Sequence, residues 1–268
     1  MAELIIPPLP PAIWKVGQRD SAAELHLLKE LGIPSLVAAV LASRGMADPR
    51  SAEAFLNPRL EDLHDPRLLP DYDAAVREIM GAKERGETIY VHGDYDTDGV
   101  TSTAIFTRFL RRIGCQVIPH VPHRMKEGYG IHQMAVQWAK DHGASLFLTC
   151  DCGISAHDQL DLVKAAGMRA VVTDHHELKE TLPEACAVVN PHRKDTDYPF
   201  QTLCGAGIVY KLCLGIAREL GHQDSHFHRA FLDLAVLGTV ADVMPLVDEN
   251  RIITRHGLPL LKESKKPG

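Results

Sequence analysis

From residue 73 onward, helix-like and strand-like segments alternate, and this alternation restricts the fold more than any other feature of the sequence. The strand-like segments are short and apolar: TIYVHGDYD, CQVIPHV, SLFLTCDCG, MRAVVTDHHE and EACAVVNPHR. Strands and helices that alternate are joined by right-handed crossovers, which place helices on both faces of a parallel sheet. We therefore predict an α/β fold with a mostly parallel, doubly wound sheet of about five strands. Two helices, AGIVYKLCLGIAREL and FHRAFLDLAVLGTV, are predicted to close the chain.

The first seventy residues have a different pattern. Three helix-like segments, AAELHLLKELG, PSLVAAVLASRG and PRSAEAFLNPRL, are separated by proline and glycine. The proline-rich, charged stretch LHDPRLLPDYD follows them and is typical of a boundary. We predict an N-terminal helical segment over residues 1–70 and an α/β domain over residues 71–268.

The charge balance and the cysteines limit the class of protein. The 29 basic and 35 acidic side chains give a formal net charge of −6, so the chain lacks the overall basic field of many nucleic-acid-binding proteins. Bound divalent cations would reverse this sign locally. The six cysteines form no CxxC pair, which favours a reducing compartment. No apolar run approaches the ~20 residues of a membrane span, and the start lacks a secretory signal, so we expect a cytoplasmic protein without a membrane partner.

Acidic and histidine side chains follow three of the predicted strands. TIYV leads into the motif HGDYDTDG, SLFLTC into Asp151, and RAVVT into the run DHH at residues 174–176. Because ligands of parallel α/β sheets bind outside the carboxyl ends of the strands, we expect these side chains to meet at one edge of the sheet.

The three aspartates of HGDYDTDG can be interpreted in two ways. If the segment is extended, Asp94, Asp96 and Asp98 share one side, and their mutual repulsion must be offset by cations. Alternatively, they form a polar turn that caps a helix starting near Gly99, since aspartate is a favoured N-cap. An EF-hand loop is excluded, because its twelfth position is Ile105 rather than glutamate.

The other candidate residues differ in how strongly they indicate a metal or catalytic site. Asp151 lies between two cysteines, but alternation turns both thiols away from it, so a carboxylate site is favoured over a thiolate site. In the DHH run, we expect His175 to bind metal, His176 to face a substrate phosphate or leaving oxygen, and Asp174 to orient them. Asp242, after an apolar helix, is a helix-end residue or a ligand.

A second histidine cluster, at residues 222, 226 and 228 in GHQDSHFH, is interpreted as a solvated turn rather than a metal site.

Oxygen donors with a minority of imidazoles favour Mn²⁺ or Mg²⁺ over structural zinc. An acid that bridges two such ions is the arrangement of metal-assisted phosphoester hydrolysis. The residues alone therefore predict a two-metal phosphoesterase.

At this level of detail the sequence resembles the DHH phosphoesterases. Four motifs of that family occur in order: HGDYDTDG, LTCDCG, VVTDHH and GTVADV. Within the family, the segments EGYGIH, NPHR, LCGAGIVYKL and GTVADVMPL are most similar to the bacterial exonucleases that degrade single-stranded DNA from 5′ to 3′. The similarity extends over nearly the whole chain from residue 70 onward.

The resemblance implies roles for individual residues. One ion would be held by Asp98, Asp151, His175 and Asp242. A second would be held by Asp96 and the bridging Asp151, with His92 or Asp94 nearby. His176 would contact the scissile phosphate, and catalysis would depend on Asp98, Asp151, His175 and His176.

Basic and aromatic residues near the predicted strand ends suggest a path for nucleic acid. Arg124, Lys126 and Arg193 are candidates for phosphate contacts, and Tyr129 is a candidate for stacking on a base. Arg111 and Arg112 are interpreted as solvated surface.

The resemblance also implies single-stranded DNA as substrate and a role in DNA repair and recombination. Such exonucleases continue into DHHA1 and OB-type domains, and no GGGH-like sequence occurs here. We therefore expect the N-terminal catalytic core of a longer protein, with repair proteins as partners of the missing region. The alternatives are a hydrolase of small substrates, such as short oligoribonucleotides, cyclic dinucleotides or pyrophosphate, and a non-catalytic scaffold.

Overall fold

The computed structural model describes residues 17–178 and 181–266, which form two compact units that divide between Asn57 and Pro58. Sequence analysis sets the boundary at residue 70, whereas Leu63 and Leu69 already belong to the core of the second unit. The domain limits of residues 1–70 and 71–268 stay a prediction.

The first unit consists of three helices: α1 Ser21–Leu31, α2 Ser35–Ser43 and α3 Pro49–Leu56. Asp20 caps α1 and Asp48 caps α3, each by accepting a hydrogen bond from a backbone N–H in the first turn. The unit is held together by a small apolar core of Leu27, Ala38, Leu41 and Ala52.

The second unit is an α/β domain with a five-stranded parallel sheet in the order β2-β1-β3-β4-β5. The doubly wound fold predicted from the sequence is therefore confirmed. Its strands are β1 Thr88–Gly93, β2 Gln116–His120, β3 Ala144–Cys150, β4 Arg169–Thr173 and β5 Ala187–Val189. Its helices are α4 Tyr72–Glu84, α5 Thr97–Arg112, α6 Gln133–Asp141, α7 His157–Ala165, α8 Gly205–Glu219, α9 Asp224–Ala241 and α10 Asp248–Lys262.

Alternation along the strands divides the core into two layers. Ile89 and Val91 of β1 face the large layer that includes α4, α5, α8 and α9, whereas Tyr90 faces the smaller layer of α6 and α7. Because successive side chains of a strand point to opposite faces, strands covered on both faces are apolar throughout. This explains the continuous apolar runs of the sequence.

The prediction that two helices close the chain is wrong, because α10 follows them. Gly257 and Pro259 lie within α10. A Cβ at Gly257 would come within 2.8 Å of the carbonyl oxygen of Leu232, so this glycine lets α10 approach α9 closely. Here tertiary packing outweighs the low helix propensity of both residues.

The interpretation of residues 222–228 as a solvated turn is also wrong for His228. This side chain lies in α9, is buried, and is hydrogen-bonded to the hydroxyl of Tyr210. His222 and His226 are exposed.

The strand order fixes where a ligand can bind. From β1 the chain moves outward to β2 and then crosses back to β3 on the other side of β1. The two crossovers diverge between β1 and β3, and ligands of such sheets bind in the crevice at their carboxyl ends. None of the described helices is long and apolar enough to cross a membrane.

Candidate metal centre

The segment after β1 brings three carboxylates to the crevice. β1 ends at Gly93, Asp96 is the N-cap of α5, and its Oδ1 accepts a hydrogen bond of 2.9 Å from the N–H of Gly99. Asp98 lies in the first turn of α5. The expectation of one extended segment is therefore wrong, and the alternative, a helix cap, is confirmed for Asp96.

This turn depends on close backbone approach. A Cβ at Gly99 would lie 2.5 Å from the backbone nitrogen and oxygen of Asp94. Only glycine fits where the start of α5 packs directly on the end of β1.

Asp151 follows β3 in an unusual backbone conformation. Its φ is 61°, in the left-handed region, while its N–H donates to the carbonyl oxygen of Thr173 at 3.0 Å. A non-glycine residue is held there at a cost of about 1–3 kcal/mol, and such strain is concentrated at functional sites. The flanking thiols of Cys150 and Cys152 are buried, and neither belongs to a candidate metal group within the described residues.

Asp174 organises the two histidines that follow β4. Its Oδ1 accepts hydrogen bonds from the N–H of His175 at 2.8 Å and from the N–H of His176 at 3.1 Å, and it contacts Nδ1 of His176 at 2.7 Å. Its Oδ2 accepts from the N–H of Ile154 at 2.9 Å. Asn190, after β5, donates to the carbonyl oxygen of His176 at 2.9 Å. The expected orienting position of Asp174 agrees with these contacts.

The C-terminal helices supply the remaining groups. Asp242 is the C-cap of α9, and its Oδ2 lies 3.6 Å from Nε2 of His175. The carboxylate of Asp98 sits on the N-terminus of α8, where it accepts hydrogen bonds from the N–H groups of Gly205 at 2.6 Å and Ala206 at 2.9 Å. Each carboxylate oxygen has a second lone pair, so Asp98 keeps the capacity to bind a cation.

These side chains form three overlapping groups of potential metal ligands. Within each group, one ligand atom per residue lies within 4.8 Å of the others. The groups are Asp94, Asp96 and Asp151; Asp98, His175 and Asp242; and Asp151, His175 and His176. Asp151 and His175 each belong to two of them, and Asp151 Oδ1 lies 3.1 Å from His175 Nε2.

The electrostatics of the crevice require cations. Burial, together with the charges of Asp98 and Asp96, raises the pKa of Asp151 to about 11. Burial likewise raises the pKa of Asp94 and of Asp242. Carboxylates crowded in this way ionise together only if positive charge offsets their repulsion.

Three buried polar atoms support the same conclusion. Among the described residues, His92 Nδ1, Asp94 Oδ1 and Asp151 Oδ1 have no hydrogen-bond partner, because the contact of Asp151 Oδ1 with His175 Nε2 lacks the geometry of a hydrogen bond. Such atoms are rare in folded proteins, and a metal ion would satisfy those facing the crevice. The oxygen-rich donor set with few imidazoles fits Mn²⁺ or Mg²⁺.

His92 lies beside the three groups rather than within them. It is fully buried, its Nε2 is 3.2 Å from the carbonyl oxygen of Gly130, and burial lowers its pKa to about 4. A neutral imidazole with an unoccupied nitrogen is the form that binds metals.

An aromatic and basic rim lies next to these ligands. The hydroxyl of Tyr129 is 3.4 Å from Nε2 of His176, and the ring of Tyr129 meets that of Tyr95 edge to face. The guanidinium of Arg124 stacks on Tyr95 at 5.1 Å from the ring centroid. Lys126 is exposed on the same loop. Tyr95 lies inside the motif HGDYDTDG but is not among the residues predicted from the sequence.

Arg193 does not have the freedom expected of a phosphate contact. Its side chain is buried, and its guanidinium donates to Asp71, Asp195 and the carbonyl oxygen of Val188. Because protein acceptors occupy Nε and both terminal nitrogens, the expectation that it binds substrate is not supported. We interpret Arg193 as a structural residue that ties α4 to β5.

The chain is similar to known proteins both in sequence and in structure. The single-stranded-DNA-specific exonuclease RecJ of Bacillus subtilis is 37% identical over 255 residues, which are 95% of this chain and 32% of that protein. A manganese complex of RecJ from Thermus thermophilus is 31% identical with a TM-score of 0.75, over 91% of this chain and 34% of that one. A second RecJ structure bound to manganese is 38% identical with a TM-score of 0.65, over 71% of this chain and 48% of that one.

The chain thus spans a third to a half of the length of these relatives. The sequence profile of the DHH family, N-terminal domain, matches residues 88–239, more than half of the chain. Because the profile covers more than half of the chain, the chain belongs to the DHH family.

Proposed function

We propose that this chain is the catalytic core of a metal-dependent exonuclease that hydrolyses the phosphodiester bonds of single-stranded DNA from the 5′ end. The observation that carries the proposal is the set of three ligand groups that are linked through Asp151 and His175, each of which belongs to two of them. The similarity to RecJ proteins supports the choice of single-stranded DNA over other phosphoesters.

We assign one ion to Asp98, Asp151, His175 and Asp242, and the other to Asp94, Asp96 and Asp151, with His92 adjacent. Asp151 would bridge the two, since its carboxylate belongs to one group with Asp94 and Asp96 and to another with His175, which it contacts at 3.1 Å. When bound, two such ions supply an activated water and neutralise charge that develops on the phosphate.

We assign the role of proton donor to His176. Its hydrogen bond to Asp174 raises the pKa of the imidazole, and its ring is partly exposed to the crevice. A protonated His176, held in one orientation by Asp174 and Asn190, can donate to a non-bridging phosphate oxygen or to the leaving oxygen.

The rim formed by Tyr95, Arg124, Lys126 and Tyr129 would bind the strand next to the reacting phosphate. Tyr129 is half exposed, and aromatic faces bind bases without sequence preference. A stacked base requires an unpaired strand, which accounts for single-strand specificity. Arg124 and Lys126 would contact phosphates.

The proposal also includes a role in DNA repair and recombination in the cytoplasm, with repair proteins as partners of the longer protein. Recruitment of these partners is attributed to regions outside the matched segment.

The test is digestion of a 5′-labelled single-stranded DNA with Mn²⁺ by the wild type and by Asp151→Asn, which keeps the shape of the side chain but removes its charge. We expect labelled mononucleotide from the wild type and a loss of at least about 100-fold in the variant, as for removal of one key electrostatic group. Asp158→Asn, a change on the exposed surface of α7, is the matched control. Equal rates for all three proteins would refute the proposal, and faster cleavage of a dinucleotide than of the long strand would indicate a small-substrate hydrolase.

Salt dependence tests the path of the strand. The logarithm of the association constant for an oligonucleotide should fall linearly with the logarithm of the salt concentration, with a slope of about 0.7 per phosphate contacted. The double variant Arg124→Gln, Lys126→Gln should therefore lower the slope by roughly 1.4. An unchanged slope would exclude both side chains as phosphate contacts.

A further inference from the structure

The first turn of α10 contains an asparagine whose contacts suggest a role in positioning the candidate metal ligands. Asn250 is fully buried, although it lies outside all three ligand groups. Its Nδ2 donates to the carbonyl oxygen of Thr202 at 2.7 Å and to that of Pro245 at 3.1 Å. One side chain therefore joins two backbone segments that are more than forty residues apart in sequence.

Each of these segments leads directly to a candidate ligand. Thr202 precedes Gly205 by three residues, and the N–H of Gly205 donates to the carboxylate of Asp98. Pro245 follows Asp242 by three residues. Asn250 thus joins the connection into α8, which holds Asp98, to the turn after α9, which carries Asp242.

The chemistry of this contact is specific to asparagine. Two carbonyl oxygens face the same atom, so that atom must donate two hydrogen bonds, and the amide nitrogen does so. Aspartate has the same shape, but it would direct a carboxylate oxygen at two carbonyl oxygens. The buried Oδ1 of Asn250 has no partner among the described residues, so the two donated bonds alone fix the orientation of the side chain.

A second observation shows that the turn after Asp242 needs a restraint. Val243 has φ of 55°, although it is β-branched and the residue is 85% exposed. A β-branched residue in the left-handed region is a strained outlier, which persists only when the surroundings hold it. Backbone hydrogen bonds from Val243 to Val240 and from Met244 to Thr239 restrain the turn from the side of α9, and the hydrogen bond from Asn250 to Pro245 restrains it from the side of α10.

We propose that Asn250 is a positioning residue. It fixes the position of Asp242 relative to Asp98, whose carboxylate is held by the N-terminus of α8, and it thereby determines the affinity of the ion that Asp98 and Asp242 share. This inference rests on the proposed metal centre. Loss of the bridge releases the strained turn, so that Asp242 leaves its position 3.6 Å from His175. The ion bound by Asp94, Asp96 and Asp151 should be affected less.

The experiment measures Mn²⁺ binding by titration calorimetry and the Mn²⁺–Mn²⁺ coupling by electron paramagnetic resonance. For Asn250→Ala we expect one of the two sites to weaken by roughly 10–100-fold, the usual effect of removing a group that orients a ligand. For Asn250→Asp we expect a larger loss, because repulsion replaces the two bonds. In both variants the coupled signal should be smaller than that of the wild type at metal concentrations that just saturate the wild type.

Thr254→Val is the matched control, since Thr254 is a buried polar residue one turn further along α10 whose hydroxyl has no hydrogen-bond partner among the described residues. It should bind both ions as the wild type does. Equal binding by the wild type and Asn250→Asp would overturn this inference while leaving the metal centre intact. Failure of the wild type itself to bind Mn²⁺ would overturn the proposed function and this inference with it.

Hydrogen exchange of the wild type provides a test that does not depend on the folding of a variant. If Asn250 couples the two segments, Mn²⁺ should slow exchange at residues 203–206 and 244–247 together. Protection of one segment without the other would contradict the bridge.

Discussion

Gly205, the first residue of α8, lies between two candidate ligands, and replacing it with alanine should disturb both. The added Cβ would lie 2.6 Å from Cβ of Asp151 and 3.0 Å from Oδ2 of Asp98. Ordinary contact requires 3.4 Å, so Asp151 or α8 must shift by about 0.8 Å. Asp151 is already strained, and the carboxylate of Asp98 would lose hydrogen bonds to α8.

The magnitude follows from these two effects. Overpacking of a filled site costs about 1–3 kcal/mol, and loss of a hydrogen bond to a charged group costs about 1.5–3 kcal/mol. We expect the free energy of unfolding to fall by about 2.5–6 kcal/mol in the metal-free protein. Affinity for Mn²⁺ should fall by roughly 10–100-fold, because a ligand is displaced from its orientation.

The assay is urea unfolding with a chelator present, followed by calorimetric titration with Mn²⁺. Gly207→Ala is the matched control, since its Cβ would meet chiefly the terminal methyl of Leu203 at 3.2 Å in the same turn of α8. That contact can relax, so this variant should stay within about 1 kcal/mol of the wild type. If Gly205→Ala matched Gly207→Ala in both stability and affinity, the reasoning would be refuted.

Two further predictions concern charges outside the crevice. Lys211 and Glu249 form a fully buried ion pair at 2.6 Å. Lys211→Met should destabilise the protein by about 3–5 kcal/mol, because it leaves the buried charge of Glu249 without its ion-pair partner. The additional change Glu249→Gln should recover part of this loss, as measured by urea unfolding. Hydrogen bonds from Arg85 and Arg169 lower the pKa of Glu87 to about 2, and a lowered pKa stabilises the folded state above the unfolded value of 4.5. The wild type should therefore be more stable than Glu87→Gln at pH 7, and this difference in stability should shrink as the pH falls from 4.5 towards 2. A difference that stayed constant in thermal unfolding over this range would contradict the assignment.

The sequence predicted the parts of the site that depend on local pattern. Asp151 and the DHH run follow apolar strands, and parallel strands bring their carboxyl ends to one edge regardless of how the helices pack. Asp96 as a helix cap likewise depends on neighbouring residues only.

The parts that were missed depend on contacts between distant segments. The carboxylate of Asp98 is held by hydrogen bonds from backbone N–H groups that lie more than a hundred residues further along the chain. Arg193 follows β5, as a phosphate contact would, but Asp71 from a distant turn occupies its guanidinium. Pattern alone does not give such distances, because they are set by how α4 and α8 pack on the sheet.

The matched family profile ends at residue 239, so Asp242 and Asn250 lie beyond it. Asp242 faces His175 across the crevice, and Asn250 is hydrogen-bonded to Pro245 in the turn that follows Asp242. The strands therefore supply only one side of the crevice, and α8, α9 and α10 supply the other. A carboxylate at the end of a long helix is an effective ligand only if the helix cannot shift, and the close contact at Gly257 between α10 and α9 limits such a shift. The packing of the last three helices thus positions one side of the candidate metal centre, so changes that loosen α10 should weaken metal binding before they unfold the sheet.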